Sequence, residues 1–210
     1  MRCLGIETST NVMSLALVEA GEVLLEVEDR REHSRAHELW RDFLSLSRAK
    51  GFHPKQVNRV VVSVGPGRFS GIRSGVALGV GWTIALGCPI LGIPSLDGLA
   101  YSLRDSAVVG EIILAYLPKP GSQEYFARCY IWEEVGPCPK DAMKGLDRAS
   151  LTRLAQEATW VVGPDSGLKE GPRSRIAWPR ASTLACWVSG DVVASLPVFP
   201  LAYVASGPVH

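Results

Sequence analysis

Three stretches of this 210-residue sequence hold residue types at spacings that could do chemistry. Gly65-Pro66-Gly67-Arg68-Phe69-Ser70-Gly71 follows a Val-rich run and opens an apolar helix. Its glycines permit positive φ and close approach of a ligand or another backbone. A helix N-terminus behind such a loop can offer N–H groups to phosphate or carboxylate. A plain strand-to-helix connection with no ligand has the same sequence. His33 and His37 lie four apart, so on a helix they share a face and could hold a metal, with Glu38 as a further ligand. The other reading is a solvated helix start, because Arg30, Arg31, Glu32 and Arg35 surround them. A third ligand is missing, since His53 falls in a loop and His210 is the last residue. Glu7-Thr8-Ser9-Thr10-Asn11 is a polar turn rich in small hydroxyls. No Ser-His-Asp or Cys-His signature occurs, and no P-loop Lys follows the glycines. The chain is built like an enzyme but is short of catalytic groups.

The elements that carry these stretches follow from periodicity. Cys3 to Ile6, Met13 to Val18 and Glu22 to Val27 are extended runs, with a hairpin turn at Ala20-Gly21. A helix starts at Ser34, an acceptable N-cap, and repeats Ala36, Leu39, Trp40, Phe43 and Leu46 until Gly51 and Pro54 close it. Arg59 to Val64 reads as a strand buried on both faces, and a helix begins near Ser70. No charge occurs between Arg73 and Asp97, a length that would suit a membrane span. Four glycines and the stop Gly87-Cys88-Pro89 favour a buried helix of about four turns and a short strand, Ile90 to Ile93. Gly71, Gly75 and Gly79 share one face of that helix, at about 1 kcal/mol of lost propensity each. Close packing must compensate, against either the chain's own sheet or another subunit.

In the second half, Glu111 to Ala115, Tyr125 to Trp132 and Trp160 to Val162 read as strands, while Ser150 to Ala158 and Ala181 to Val193 read as helices. Gly136 to Gly145, with Pro137 and Pro139, reads as loop. Each half holds a strand running into a Gly-Pro turn, which hints at duplication. The alternation of strands and helices gives an α/β class with mixed sheets.

Composition narrows the function classes. Net charge is +1, so there is no global attraction for nucleic acid or anionic lipid. The five cysteines are scattered without a CxxC pair, as reduced thiols in a cytoplasmic protein would be. Met1 to Glu7 meets a carboxylate before a signal-peptide core could form.

Leu4-Gly5-Ile6-Glu7-Thr8-Ser9-Thr10, His33-Ser34, Gly65 to Gly75 and Gly92-Ile93-Pro94-Ser95-Leu96-Asp97-Gly98-Leu99-Ala100 together resemble the TsaB (YeaZ) family. The GPG-x-F-[ST]-G-[LI]-R-x-G string is specific, and the likeness covers residues 1 to about 103. Pro200-Leu201-Ala202-Tyr203 faintly resembles the family's C-terminal Pro-x-Tyr. The resemblance implies an actin/Hsp70-like (ASKHA, ribonuclease H-like) fold of two lobes, divided here as 1–105 and 106–210.

It also implies a non-catalytic partner of a TsaD-like enzyme that makes N6-threonylcarbamoyladenosine beside the anticodon of tRNAs reading A-starting codons. A TsaE-like ATPase joins the pair, the chain alone forms a homodimer, tRNA is met only indirectly, and no membrane is involved. The shared interface would use helices 34–50 and 70–86, with Trp40, Phe43, Phe69, Gly71, Ile72, Gly75 and Gly79. No metal and no intrinsic cofactor are expected, ATP or ADP entering through the assembled complex.

TsaD-like proteins carry Asn-His-x-x-Gly-His after a similar turn; here Ser95 and Leu99 stand at the histidine positions, and Leu cannot ligate a metal. His37 instead resembles the histidine of a separate Ser-Arg-x-His string. The family's Asp becomes Glu7, and its second-lobe Asp-Ala-Arg string is replaced by Ala115-Tyr116-Leu117. Two alternatives stand: an M22-like metallopeptidase, and a small ATP-dependent ASKHA phosphotransferase. In the latter, Glu7, Thr8, Ser9, Gly65 and Gly67 would face the nucleotide phosphates.

Overall fold

A computed structural model describes residues 1–30, 36–165, 168 and 173–189. The expectations for His33, Ser34 and Pro200 to Tyr203 lie outside these residues. The chain divides into two compact units, Met1–Pro94 together with the helix that follows Arg180, and Ser95–Pro179.

The first unit is built on β1 (Arg2–Glu7), β2 (Met13–Glu19), β3 (Glu22–Asp29), β4 (Arg59–Ser63) and β5 (Ile90–Ile93), in the order β3-β2-β1-β4-β5. The hairpins are antiparallel, while β4 runs parallel to β1 and β5. Ala20 and Gly21 take φ of 49° and 85°, the left-handed pair that a two-residue hairpin turn needs. Helices α1 (Ala36–Ala49) and α2 (Phe69–Leu86) pack on this sheet, with Leu39 and Phe43 in a core that includes Leu4, Ile6, Leu15 and Val60.

The second unit repeats the plan. Strands β6 (Ile112–Pro118), β7 (Tyr125–Glu133), β8 (Gly136–Pro139), β9 (Lys144–Leu146), β10 (Trp160–Gly163) and β11 (Arg173–Ile176) form a sheet of order β11-β10-β6-β7-β8, with β9 also on β7. Here β6 pairs antiparallel with β7 and parallel with β10, as β1 does with β2 and β4. The duplication hinted at by the two Gly-Pro turns is therefore a shared strand order. Ile6 pairs with Val62 and Ala115 with Val162, so one step further Glu7 and Tyr116 hold equivalent places. Helix α3 (Ser95–Tyr101) packs in this unit with α4 (Arg148–Gln156). Helix α5 (Ala181–Ser189) packs on β1 and β2 of the first.

Several expectations change. The 105/106 division falls instead at 94/95, and α5 leaves the second half, because a Cβ on Gly5 would lie 2.2 Å from the Ala181 carbonyl oxygen: β1 and α5 touch backbone to backbone. The stretch Gly136 to Gly145, expected as loop, contains β8 and the start of β9. Pro137 and Pro139 survive in β8 because it is an edge strand and both missing N–H groups lie on one side; Lys140 N–H still reaches the Cys129 carbonyl at 2.9 Å. Helix α4 starts earlier than Ser150, because Asp147 caps it by accepting from Ser150 N–H. Helix α3 and strand β11 are additional.

The largest correction concerns α2. Its glycines sit where the alternative of packing on the chain's own sheet puts them, and only Gly75 and Gly79 of its residues are buried. The helix is not a core helix. It is long and apolar enough to cross a bilayer, yet it seats its glycine face on the sheet, with Val76, Leu78, Trp82 and Leu86 partly buried against the same core, and leaves the face of Phe69, Val80 and Ile84 open.

Candidate functional site

The carboxyl ends of β1 and β4 bring together the turn after Glu7 and the turn from Gly65 to Gly67, the place where open α/β sheets bind ligands. Val64 and Gly65 follow the strand, the Gly65–Pro66 bond is cis, and Gly65 has a φ of 94°. A Cβ on Gly65 would come 2.8 Å from Ile72 Cδ1, one on Gly67 would come 2.1 Å from Ser9 O, and one on Gly71 would come 2.0 Å from Thr8 O. The glycines thus let this loop close onto the chain's own turn.

The donors in this turn are spent internally. Ser9 N–H donates to Glu7 Oε1 at 2.6 Å, Thr8 Oγ1 donates to Gly71 O at 2.8 Å, and Arg68 N–H donates to Ser9 O at 2.6 Å. Glu7, Thr8 and Ser9 are buried. Burial pushes the Glu7 carboxyl above the usual carboxylate range, opposed by hydrogen bonds from Ser9, Ser63 and Thr8, and its Oε2 has no hydrogen-bond partner. A nucleotide phosphate needs open N–H or hydroxyl donors and cationic company. The five residues expected to face it are brought together, with the Thr8 hydroxyl and the Ser9 N–H already engaged within the turn. On the surface beside them, Arg68 Nη1 donates to Asn11 Oδ1 at 2.8 Å.

In the second unit the equivalent end is closed differently. Tyr116 packs where a Cβ on Gly163 would lie 2.2 Å from its ring, and its hydroxyl donates to Asp165 O at 2.8 Å with Oδ1 at 3.1 Å. Burial, with Asp165 beside it, pushes the Tyr116 phenol up. Ser95 and Leu99 are buried in α3. Asp97, also buried on α3, accepts from Tyr130 OH at 2.6 Å and faces Arg128 Nη1 at 3.6 Å. Among the described residues no cluster of three His, Cys, Asp or Glu could hold a metal ion, and His37 is exposed on α1.

The expected interface residues separate into two sets. Gly71, Gly75 and Gly79 face inward: Cβ atoms on the last two would meet Thr8 Oγ1 at 2.2 Å and Ile90 Cδ1 at 2.8 Å. Phe43 is in the core, and Ile72 lies against Gly65. Phe43, Gly75 and Gly79 are buried, while Gly71 and Ile72 are partly covered. Trp40 is half-buried, stacked on Phe43 and edge-on to Trp82 of α2 with ring centroids 4.8 Å apart. Phe69 is 48% exposed under the Arg73 guanidinium. The outward surface also includes Val80 (36% exposed) and Ile84 (78%), with Leu46 of α1 exposed too. The four-residue spacing of Val80 and Ile84, opposite the glycines, is the signal that marks them.

A family profile described as TsaD, tRNA N6-adenosine threonylcarbamoyltransferase, matches residues 29–113. The tRNA threonylcarbamoyladenosine biosynthesis protein TsaB of Escherichia coli is 32% identical over 182 residues, covering 81% of this chain and 77% of its own length. An uncharacterized protein of Mycobacterium tuberculosis is 30% identical over 109 residues, and the chain spans about half its length (52%). The fold matches a Pseudomonas aeruginosa protein described as similar to peptidase YeaZ, at a TM-score of 0.73 and 22% identity, over 94% of this chain and 98% of that one. It also matches YeaZ of the same organism, at a TM-score of 0.68 and 20% identity, over 88% and 89%.

Proposed function

The chain belongs to the TsaB family of tRNA threonylcarbamoyladenosine biosynthesis proteins, and from that premise we propose that it is a non-catalytic subunit that pairs with a TsaD-like enzyme. The pair forms N6-threonylcarbamoyladenosine next to the anticodon of tRNAs reading A-starting codons, in the cytoplasm. A TsaE-like ATPase joins it, ATP or ADP enters through the assembly, and tRNA meets this chain only indirectly. In the absence of the enzyme the same surface serves a homodimer.

One observation carries this reading: the outward face of α2. Between Phe69 and Leu86 the single charge is Arg73, and Phe69, Val80 and Ile84 lie open to solvent while the glycines clamp the helix to its sheet. An apolar helix face of this kind on a firmly seated helix is an interaction surface. The engagement of the Thr8 hydroxyl by Gly71 and of the Ser9 N–H by Glu7 supports a subunit that leaves the chemistry to its partner.

The test is reconstitution of the modification reaction with the cognate TsaD-like protein. Ile84→Asp should abolish co-purification and lower product formation at least about tenfold, the scale of losing one interface anchor. An Ile84→Asp chain that binds and activates normally would overturn the reading.

A further inference from the structure

The second unit has an apolar tip of its own, remote in sequence from α2. Val108 and Val109 are 62% and 60% exposed, Val135 is 46% exposed, and Ile131 is also exposed. The register gathers them at one end of the sheet: Ile131 pairs with Ile112 at the start of β6, and Glu133 pairs with Gly136 across the turn that contains Val135.

This tip is braced. Gly110 N–H donates to Trp132 O at 2.8 Å and Trp132 N–H to Glu111 O at 2.9 Å, joining the two turns. Glu111 accepts from Val108 N–H at 2.9 Å and Trp160 Nε1 at 2.8 Å, and pairs with Arg173 at 3.2 Å. Those bonds hold the Glu111 carboxyl below the usual range. The valines are therefore presented on a fixed support. Scattered exposed aliphatics need no account, but a cluster of β-branched ones on a braced turn does.

The charges around it have one sign left over. Glu133 and Glu134 are exposed, and neither has an ion pair among the described residues. The neighbouring cations are engaged, Arg173 by Glu111 and Trp160, and Arg104 by Tyr101 and Asp105. Residues 190–210, an apolar stretch of this chain, contain no Lys or Arg and so do not complement that rim.

We propose that this end of the second sheet docks an apolar segment of another protein that carries Lys or Arg at its margins. Aliphatic side chains cover Val108, Val109, Ile131 and Val135, and the cations meet Glu133 and Glu134. The acidic rim repels RNA phosphates and anionic lipid headgroups. The site is independent of the α1–α2 surface, so either can fail alone.

Fluorescence anisotropy with two labelled amphipathic peptides, one of Leu and Lys and one of Leu and Glu, tests it on the full chain. The Leu/Lys peptide should bind, and the Leu/Glu peptide should not. Val108→Asp/Val135→Asp and Glu133→Lys/Glu134→Lys should each weaken binding by at least about tenfold, with circular dichroism unchanged. Ile84→Asp should bind as the parent does. No binding of the Leu/Lys peptide, equal binding of both peptides, or full binding by either double variant overturns the proposal.

Discussion

A Cβ placed on Gly75 would lie 2.2 Å from Oγ1 of Thr8, so α2 meets the β1–β2 turn where a side chain is missing. That hydroxyl is buried and donates to Gly71 O, so it cannot swing aside cheaply. Gly75→Ala gains about 1 kcal/mol of helix propensity and loses about 1–3 kcal/mol to overpacking, with the hydroxyl bond also at risk. Urea denaturation should show net destabilisation. Thr8→Ala/Gly75→Ala should be more stable than additivity allows, because Thr8→Ala removes the atom that the new Cβ at position 75 strikes.

The same contact shows what the sequence can and cannot tell. Strands β1, β2, β4 and β5 and helix α2 follow from alternation, Val-rich runs and the Gly87 stop, since local sterics and periodicity fix them. Which way Gly71, Gly75 and Gly79 face does not follow, because spacing defines a helix face without defining its neighbour. The uncharged stretch after Arg73 is likewise silent on whether it is covered by sheet, subunit or lipid. Pro137 and Pro139 read as loop because a single sequence does not say which edge a strand occupies. Tyr116 and Glu7 become equivalent only once two registers are known. Ser9 and Thr8 are legible as polar, but their donors prove to be spent on Glu7 and Gly71 only in three dimensions.

Glu7 makes acid and neutral stability differ. Its carboxyl is raised by burial above its unfolded value, so the neutral form is favoured in the folded state. The resulting stability is fully present below the unfolded pKa and is lost as pH rises through the folded one. Glu7→Gln keeps the shape and cannot ionise. Its melting temperature relative to the parent should therefore be lowest in acid and rise as pH increases through the folded pKa of Glu7. Thermal melts from pH 4 to 8 check this, and a pH-independent difference would show that Glu7 does not titrate differently on folding.

Gly163 and Tyr116 give the second unit its own version of close approach. Gly163→Ala should be destabilising by at least about 2 kcal/mol, because a Cβ there would overlap a buried aromatic ring. Tyr116→Phe creates no overlap and loses only the bonds to Asp165, at about 1 kcal/mol. Denaturant midpoints of the two single variants should keep that order.

Asp97 gives the last prediction. It is buried on α3, and its Oδ1 faces both Tyr130 OH and Arg128 Nη1 on β7. Burial raises its carboxyl, while the hydrogen bond from Tyr130 and the Arg128 charge lower it. In the first unit, Leu15 and Leu17 hold the places equivalent to Arg128 and Tyr130, since they pair with Ile6 and Leu4 as these two pair with Ala115 and Ile113. The polar pair therefore answers Asp97. Removing the cation leaves a buried carboxyl with less support, so Arg128→Leu should cost about 2–3 kcal/mol, below the full buried-pair figure because Arg128 is partly exposed. Adding Asp97→Asn should recover part of that loss, because the charge needing compensation is gone. A double variant as unstable as the sum of the two singles would show that Arg128 works through its bond to the Asp141 carbonyl instead.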